Sequence, residues 1–377
     1  MRTVSRFFAI LMMVSMAVAV TAGDGGANQV DGRYVNESGP WDMKIGAAIK
    51  AQLTTEQVDK SPRAPLPLST VDIAALRAAP GPLLYRLGHS TILLKLDGRY
   101  VLIDPVFSER ASPLQWVGPK RFHPVPLELT QLPRIDAVVI SHDHYDHLDE
   151  GSIRFLADRA DYFFTPLGVG DHLRRWGIAD DAIVEFGWWD EVELGTLTFA
   201  ATPAQHFSGR GLFDRNKTLW ASWVIQSPDA NLFFSGDTGY FHGFREIGER
   251  YGPFDIAMVE NGAYNPAWRD IHMMPEDTLQ AFKDLNARAM LPIHNSTFDL
   301  SLHAWYEPLE RISALAMSND VQLLTPVIGA PLDVTAPQPT FAWWQDSVRA
   351  RNESIAARIP RETSISIVAE ASSTSGR

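Results

Sequence analysis

Along the chain, apolar positions gather into short runs separated by turn residues, with amphipathic stretches between them. Residues 83–87 (LLYRL) and 91–96 (TILLKL) have the length and composition of strands, and Asp97-Gly98 is a hairpin turn into Tyr100-Val101-Leu102-Ile103. Further strand-like runs lie at 137–140, 194–202 (alternating), 220–226, 232–234, 256–259 and 289–293. Pro275 followed by Glu276 and Asp277 suits the first turn of a helix, and Leu279, Phe282 and Leu285 then recur on one face. A second helix is expected over 304–316. Many strands with helices among them predict a layered α/β domain around one core, over residues 81–335. No internal repeat is visible.

The flanks differ. Residues 23–80 are polar and broken by Gly and Pro, with short helices expected near 43–52 and 71–78, and read as an arm or cover. Residues 336–377 read as a C-terminal extension whose end, from about Pro360, is a mobile tail. Residues 1–22 have the plan of an export signal: Arg2 and Arg6, an uncharged apolar run over 7–20, and the small residues Val20-Thr21-Ala22 before a cut. The run falls short of the roughly 20 residues a spanning helix needs. An exported, periplasmic protein follows, able to rest on a membrane surface.

The 377 residues are 45% hydrophobic and 21% charged, which excludes disorder, collagen and coiled coil. A formal net charge of -12 without a basic patch argues against nucleic acid as a partner. The absence of cysteine removes disulfides, thiolate zinc sites and cysteine nucleophiles, and leaves 11 histidines as the transition-metal ligands of choice.

Those histidines are not scattered. Ser141-His142-Asp143-His144-Tyr145-Asp146-His147-Leu148-Asp149 follows the apolar run 137–140, so His142, His144, Asp146 and His147 stand within six residues at a strand end. A loop there can converge side chains that a strand would alternate between faces. Imidazole and carboxylate without thiolate suit zinc, with iron or manganese as alternatives. Other apolar runs end on ligand types too: 194–202 leads to His206, 232–234 to Asp237 and 289–293 to His294.

This pattern resembles the metallo-β-lactamase superfamily, whose fold is an αβ/βα four-layer sandwich with a two-metal site at one edge. The resemblance implies two Zn2+ ions per chain: His142, His144 and His206 would hold one, Asp146, His147 and His294 the other, and Asp237 would bridge them. It casts Asp146 or Asp237 as the catalytic carboxylate that orients the attacking water, and places Asp104 behind the ligands. Metallo-β-lactamases proper lack the bridging aspartate, and the nuclease branch carries insertions that this acidic chain does not.

A closer resemblance covers residues 85–310. Residues 104–113 (DPVFSERASP), 118–122 (GPKRF), the histidine motif with Tyr145 inside it, 236–240 (GDTGY), 252–255 (GPFD), Gly262-Ala263-Tyr264 and His272 before Pro275-Glu276 look like N-acylphosphatidylethanolamine-hydrolysing phospholipases D. That implies phosphodiester hydrolysis of a phospholipid substrate, with Tyr145 and His272 as substrate contacts, peripheral membrane contact, and room for a homodimer. Phe207-Ser208, Asn295-Ser296 and Glu260-Asn261 depart from the animal members. Trp116, Trp188-Trp189 and Trp268 are candidates for a lipid-facing patch. Two other readings stay open: a lactonase or β-lactam hydrolase on the same fold, and a metal-binding envelope protein without turnover.

Overall fold

The computed structural model describes residues 20–21, 26–41 and 45–349. The expected export signal, apart from Val20 and Thr21, and the expected tail lie outside the described residues.

Among the described residues the chain builds two large sheets. The first holds seven strands in the order Pro331–Asp333, Leu83–Gly88, Thr91–Leu96, Arg99–Ile103, Ile135–Val139, Ala160–Pro166 and Ile183–Phe186. The second holds eight: Val20–Thr21, Glu191–Leu194, Leu197–Thr202, Ser222–Ser227, Ala230–Phe234, Phe254–Glu260, Ala287–Ile293 and Gln322–Leu323. Each sheet begins as an antiparallel meander and ends as a parallel run of four strands. The two halves thus share a layout that their residues do not advertise.

Period-2 alternation sorts the first sheet's side chains into two cores. Ile92, Leu94, Val101, Ile103 and Val139 join Phe199, Trp223 and Ile225 of the second sheet in one buried cluster between the sheets. Leu93, Leu102 and Val138 point the other way and are covered by Ile153 and Leu156 of the helix Glu150–Leu156 and by Leu173 of Gly170–Arg175. On the second sheet Phe244 and Ile247 of Gly243–Tyr251 and Leu279 and Phe282 of Pro275–Asp284 take that part. Strands buried on both faces read as unbroken apolar runs. The result is the α/β sandwich, helix on sheet on sheet on helix.

The expected helices form as Ile45–Thr54, Ile73–Ala78, Pro275–Asp284 and Glu307–Ser318. Asp72 caps the second, accepting from the Ala74 and Ala75 amides at 2.9 and 3.0 Å. The last starts three residues after Ala304, with Pro308 in its first turn. The run expected over 194–202 is split, because Gly195 at φ 65° turns a hairpin between Glu191–Leu194 and Leu197–Thr202. Helices Glu150–Leu156, Gly170–Arg175 and Gly243–Tyr251 and strands Ala160–Pro166 and Ile183–Phe186 were not anticipated; each is nine residues or fewer. Too few turns are present for a helical period to show.

Two flanking segments are tied down. Within 26–41, the Tyr34 amide donates to the Asn216 carbonyl at 2.8 Å and the Asn216 side chain returns a bond to the Tyr34 carbonyl at 3.0 Å. Trp343 and Trp344 bury themselves against Leu66, Trp305 and Leu309. Trp188 and Trp189 are also buried, which removes them from any lipid-facing patch, whereas Trp116 is 76% exposed.

Candidate metal centre

Parallel strands aim their C-terminal ends at one edge, and the loops leaving that edge carry the polar residues. Arg99–Ile103 ends at Asp104, Ile135–Val139 at the 141–149 loop, Ala230–Phe234 at Asp237, and Ala287–Ile293 at His294; the antiparallel Leu197–Thr202 delivers His206 to the same place. Close approach of these loops demands small residues. A Cβ on Gly236 would meet the Ser141 Cβ at 2.8 Å, and one on Gly262 would lie 1.9 Å from the His294 carbonyl oxygen. Asp104, His89 and His294 adopt φ of 41°, 47° and 63°. Such strained backbone persists only where surrounding bonds hold it.

All seven residues expected as ligands meet. His142, His144, His206 and Asp237 each present a donor atom within 4.8 Å of the others, and Asp146, His147 and His294 do the same with His89. Asp237 faces both groups. One of its oxygens lies 3.1 Å from His147 Nε2, and the other lies 3.0 Å from His294 Nε2 and 3.8 Å from the Nε2 atoms of His142 and His206.

The rings are oriented from behind. His147 Nδ1–H donates to Asp104 Oδ2 at 2.7 Å, and Asp104 also accepts from the Ser141 amide at 2.7 Å and its hydroxyl at 2.6 Å. His206 Nδ1–H donates to the Ile271 carbonyl at 3.0 Å. Both bonds fix Nδ1 as the donor and turn Nε2 toward the cluster, the orientation a metal ligand needs. Asp104 therefore stands behind His147, as expected.

The arrangement is able to hold metal. His142 Nε2 and His144 Nδ1 are 2.9 Å apart and His206 Nε2 is 3.3 Å from the same His144 nitrogen, so three lone pairs converge. His147 Nε2 and Asp237 Oδ1 are fully buried without a hydrogen-bond partner. Burial holds His142, His144 and His206 below their ordinary pKa, so they are neutral and ready to ligate. Burial also opposes charge on His147 and His294, but the nearby carboxylates of Asp237 and Asp146 outweigh it: His147 is raised well above its ordinary value and His294 to about 10. A cation in place of those protons would satisfy the same carboxylates.

A beta-lactamase superfamily domain model matches residues 99–295. The chain belongs to the metallo-β-lactamase superfamily. An N-acyl-phosphatidylethanolamine-hydrolyzing phospholipase D 1 from Caenorhabditis elegans is 36% identical over 242 residues, covering 61% of this chain and 68% of that one. An uncharacterized protein of Mycobacterium tuberculosis is 45% identical over 327 residues, 84% of this chain and 87% of the other. A solved metallo hydrolase from Ignicoccus hospitalis shares the fold, with a TM-score of 0.51 and 23% identity over 67% of this chain and 97% of its own. As a member of this superfamily the chain is a metal-dependent hydrolase.

Within this superfamily member's site, the two expected substrate contacts occupy different walls. Tyr145 lines an open groove of about 580 Å³ with Trp176, Arg154 and Arg210; its hydroxyl donates to the Arg210 carbonyl at 2.8 Å while the Arg210 guanidinium covers its ring at 4.0 Å. His272 joins Asp237 and His294 in a third potential donor group. Its Nδ1 lies 2.5 Å from Glu260 Oε1, and Glu260 Oε2 accepts from the Thr238 amide at 3.0 Å. Trp268 is half-buried and donates to the Ala263 carbonyl at 2.7 Å, so it belongs to the turn before His272 and not to an open patch.

Sequence reasoning missed His89 and the part played by Glu260. His89 is buried, with Nε2 3.0 Å from Asp146 Oδ2 and its ring 4.1 Å from that of His294. Burial, reinforced by His294, drives its pKa to about 3, so the neutral ring donates Nε2–H to Asp146. Both residues carry the signal that found His206, a ligand type directly after an apolar run: His89 follows 83–87 and Glu260 follows 256–259.

Proposed function

We propose that the chain is an exported binuclear zinc phosphodiesterase of phospholipase D type, acting on N-acylphosphatidylethanolamine-like phospholipids to give N-acylethanolamine and phosphatidic acid. The observation that carries this reading is Asp237, whose two oxygens reach donors of both ligand groups. One carboxylate shared between a three-histidine set and an Asp-His-His set fits two ions side by side, and oxygen and nitrogen donors without thiolate fit zinc. The substrate class rests on the name of the nematode relative and on the stretches quoted above.

Such ions supply Lewis-acid polarisation of a phosphoryl oxygen and acidify the attacking water. The chain's own residues do the rest. His142, His144 and His206 would hold one ion, Asp146, His147 and His294 the other, and Asp237 both. Asp146 and Asp237 orient the attacking water and take its proton. Asp104, the Ile271 carbonyl and His89 hold the ligands in their working orientation. His272, held by Glu260, faces the reacting phosphate, and Tyr145 lines the route by which the lipid arrives. Arg2, Arg6 and the apolar run after them support export.

Asp237→Asn tests the assignment. Zinc-reconstituted protein would be offered N-acylphosphatidylethanolamine, a bis-aryl phosphodiester, a lactone and a β-lactam. The expected outcome is turnover of both phosphodiesters, lowered by Asp237→Asn by a factor on the order of 10²–10⁴, the size expected when a positioned general base is removed. Fast lactone opening with no phosphodiester turnover overturns the reading in favour of a carbon-ester hydrolase.

A further inference from the structure

Two loops leave the metal-bearing edge and bound the groove that contains Tyr145. Residues Ser112, Pro113 and Gln115 of one and Arg210, Gly211 and Asp214 of the other line it. Their neighbours in sequence turn outward instead. Leu114 is 46% exposed, Trp116 76% and Val117 47% on the first loop, and Leu212 is 91% and Phe213 82% exposed on the second. Five large apolar side chains held in water around one groove form a costly surface unless something covers it.

Charge identifies the cover. The chain as a whole carries -12, yet in 109–121 and 209–217, with Arg121 and Arg210 turned inward onto backbone carbonyls, Arg110, Lys120, Arg215 and Lys217 stand against Glu109 and Asp214, a local excess of two positive charges. The acids deeper in the groove are engaged internally: Asp149 accepts from Ser108 and Ser152, and Glu150 pairs with Arg154 at 2.8 Å. Apolar tips with a tryptophan, ringed by cations, match the interface of a bilayer whose headgroups carry phosphate.

We propose that the tips 114–117 and 212–213 form a docking surface for an anionic phospholipid bilayer, presenting the groove and the metal centre to lipid at the membrane face. The proposal rests on the phospholipid reading of the site and names the surface through which that substrate enters. Trp116, Leu212 and Phe213 insert at headgroup level while Lys120, Arg215 and Lys217 meet phosphate.

Flotation of the full chain with vesicles tests it. Wild type is expected to float with mixed phosphatidylcholine and phosphatidylglycerol vesicles, more weakly with phosphatidylcholine alone, and to lose binding as salt is raised. Leu212→Ser/Phe213→Ser and, separately, Trp116→Ser should each weaken flotation, the double variant by about tenfold. Turnover of a soluble bis-aryl phosphodiester should stay within about twofold, since these side chains lie outside the centre; that readout also confirms folding. Equal flotation of variants and wild type overturns the proposal. So does a wild type that fails to float but is dimeric by light scattering and becomes monomeric in the double variant, which assigns the tips to a second copy of the chain. Flotation lost on tip substitution without phosphodiester turnover in wild type supports the surface and sinks only the reading of the site.

Discussion

Asp104 is wholly buried, and its carboxylate makes three hydrogen bonds at the candidate metal edge: two with Ser141, which opens the histidine loop, and one with His147. Burial raises its pKa while the His147 and Ser141 donors pull the other way. Removing it by Asp104→Ala frees the His147 ring to choose the wrong tautomer. Zinc affinity measured by chelator competition should fall about 10–100-fold; unchanged affinity would show that Asp104 only packs. His123 marks a different single-residue effect, away from the ligands. It is buried, with ring nitrogens 2.8 Å from the Pro124 carbonyl and 3.0 Å from Thr297 Oγ1, and burial lowers its pKa to about 4. The unfolded chain therefore binds more protons here than the folded one between about pH 6.5 and 4, and stability falls as pH drops through that window, by up to about 3 kcal/mol. Urea unfolding should show that loss in wild type and a shallower one in His123→Gln; identical slopes contradict it. The seven candidate ligands that the fold brings together were legible because ligand types cluster after apolar runs. His89 follows an apolar run as well, but it stands alone between Gly88 and Ser90 with no second ligand type beside it, and so drew no notice.

Strands and loops divide the work at the next scale. Parallel strands set where the ligand loops begin, and this much follows from the apolar runs in the sequence. What holds the loops in place is harder to read, since it consists of isolated polar side chains meeting backbone far along the chain. Asn36 in the N-terminal arm is one: its oxygen accepts from the His206 amide at 2.9 Å and the Trp220 indole at 3.1 Å, and its nitrogen donates to the His206 carbonyl at 3.0 Å. The arm was expected to be an arm or cover, and no periodicity could say that one asparagine in it brackets a candidate metal ligand. Asn36→Ala leaves buried polar groups unpaired, so a loss of roughly 2–3 kcal/mol in urea unfolding is expected, together with weaker zinc binding. Loss of stability with zinc affinity intact would confine Asn36 to a structural part. Arg86 plays a similar part from the first sheet. Fully buried, its pKa lowered to about 10 by that burial, it donates to the Asn295 carbonyl at 2.6 Å and the Asn295 side chain at 2.9 Å, next to His294.

Over the whole molecule, two sheets of like layout are joined along the edge where their ligands meet. The first sheet brings His89, Asp104 and the 142–147 cluster, and the second brings His206, Asp237, Glu260 and His294. The centre therefore depends on correct docking of both halves, and neither sheet alone contains a full ligand set. An acidic chain handling an anionic lipid is no contradiction if cations concentrate positive charge at that edge and the loop tips carry a local positive excess beside it. Titrating zinc into metal-free protein while following N-acylphosphatidylethanolamine hydrolysis tests the central claim most directly. Activity that rises until about two equivalents per chain are bound is the predicted result; saturation at one equivalent, or no cleavage of the phosphodiester at any zinc level, contradicts it.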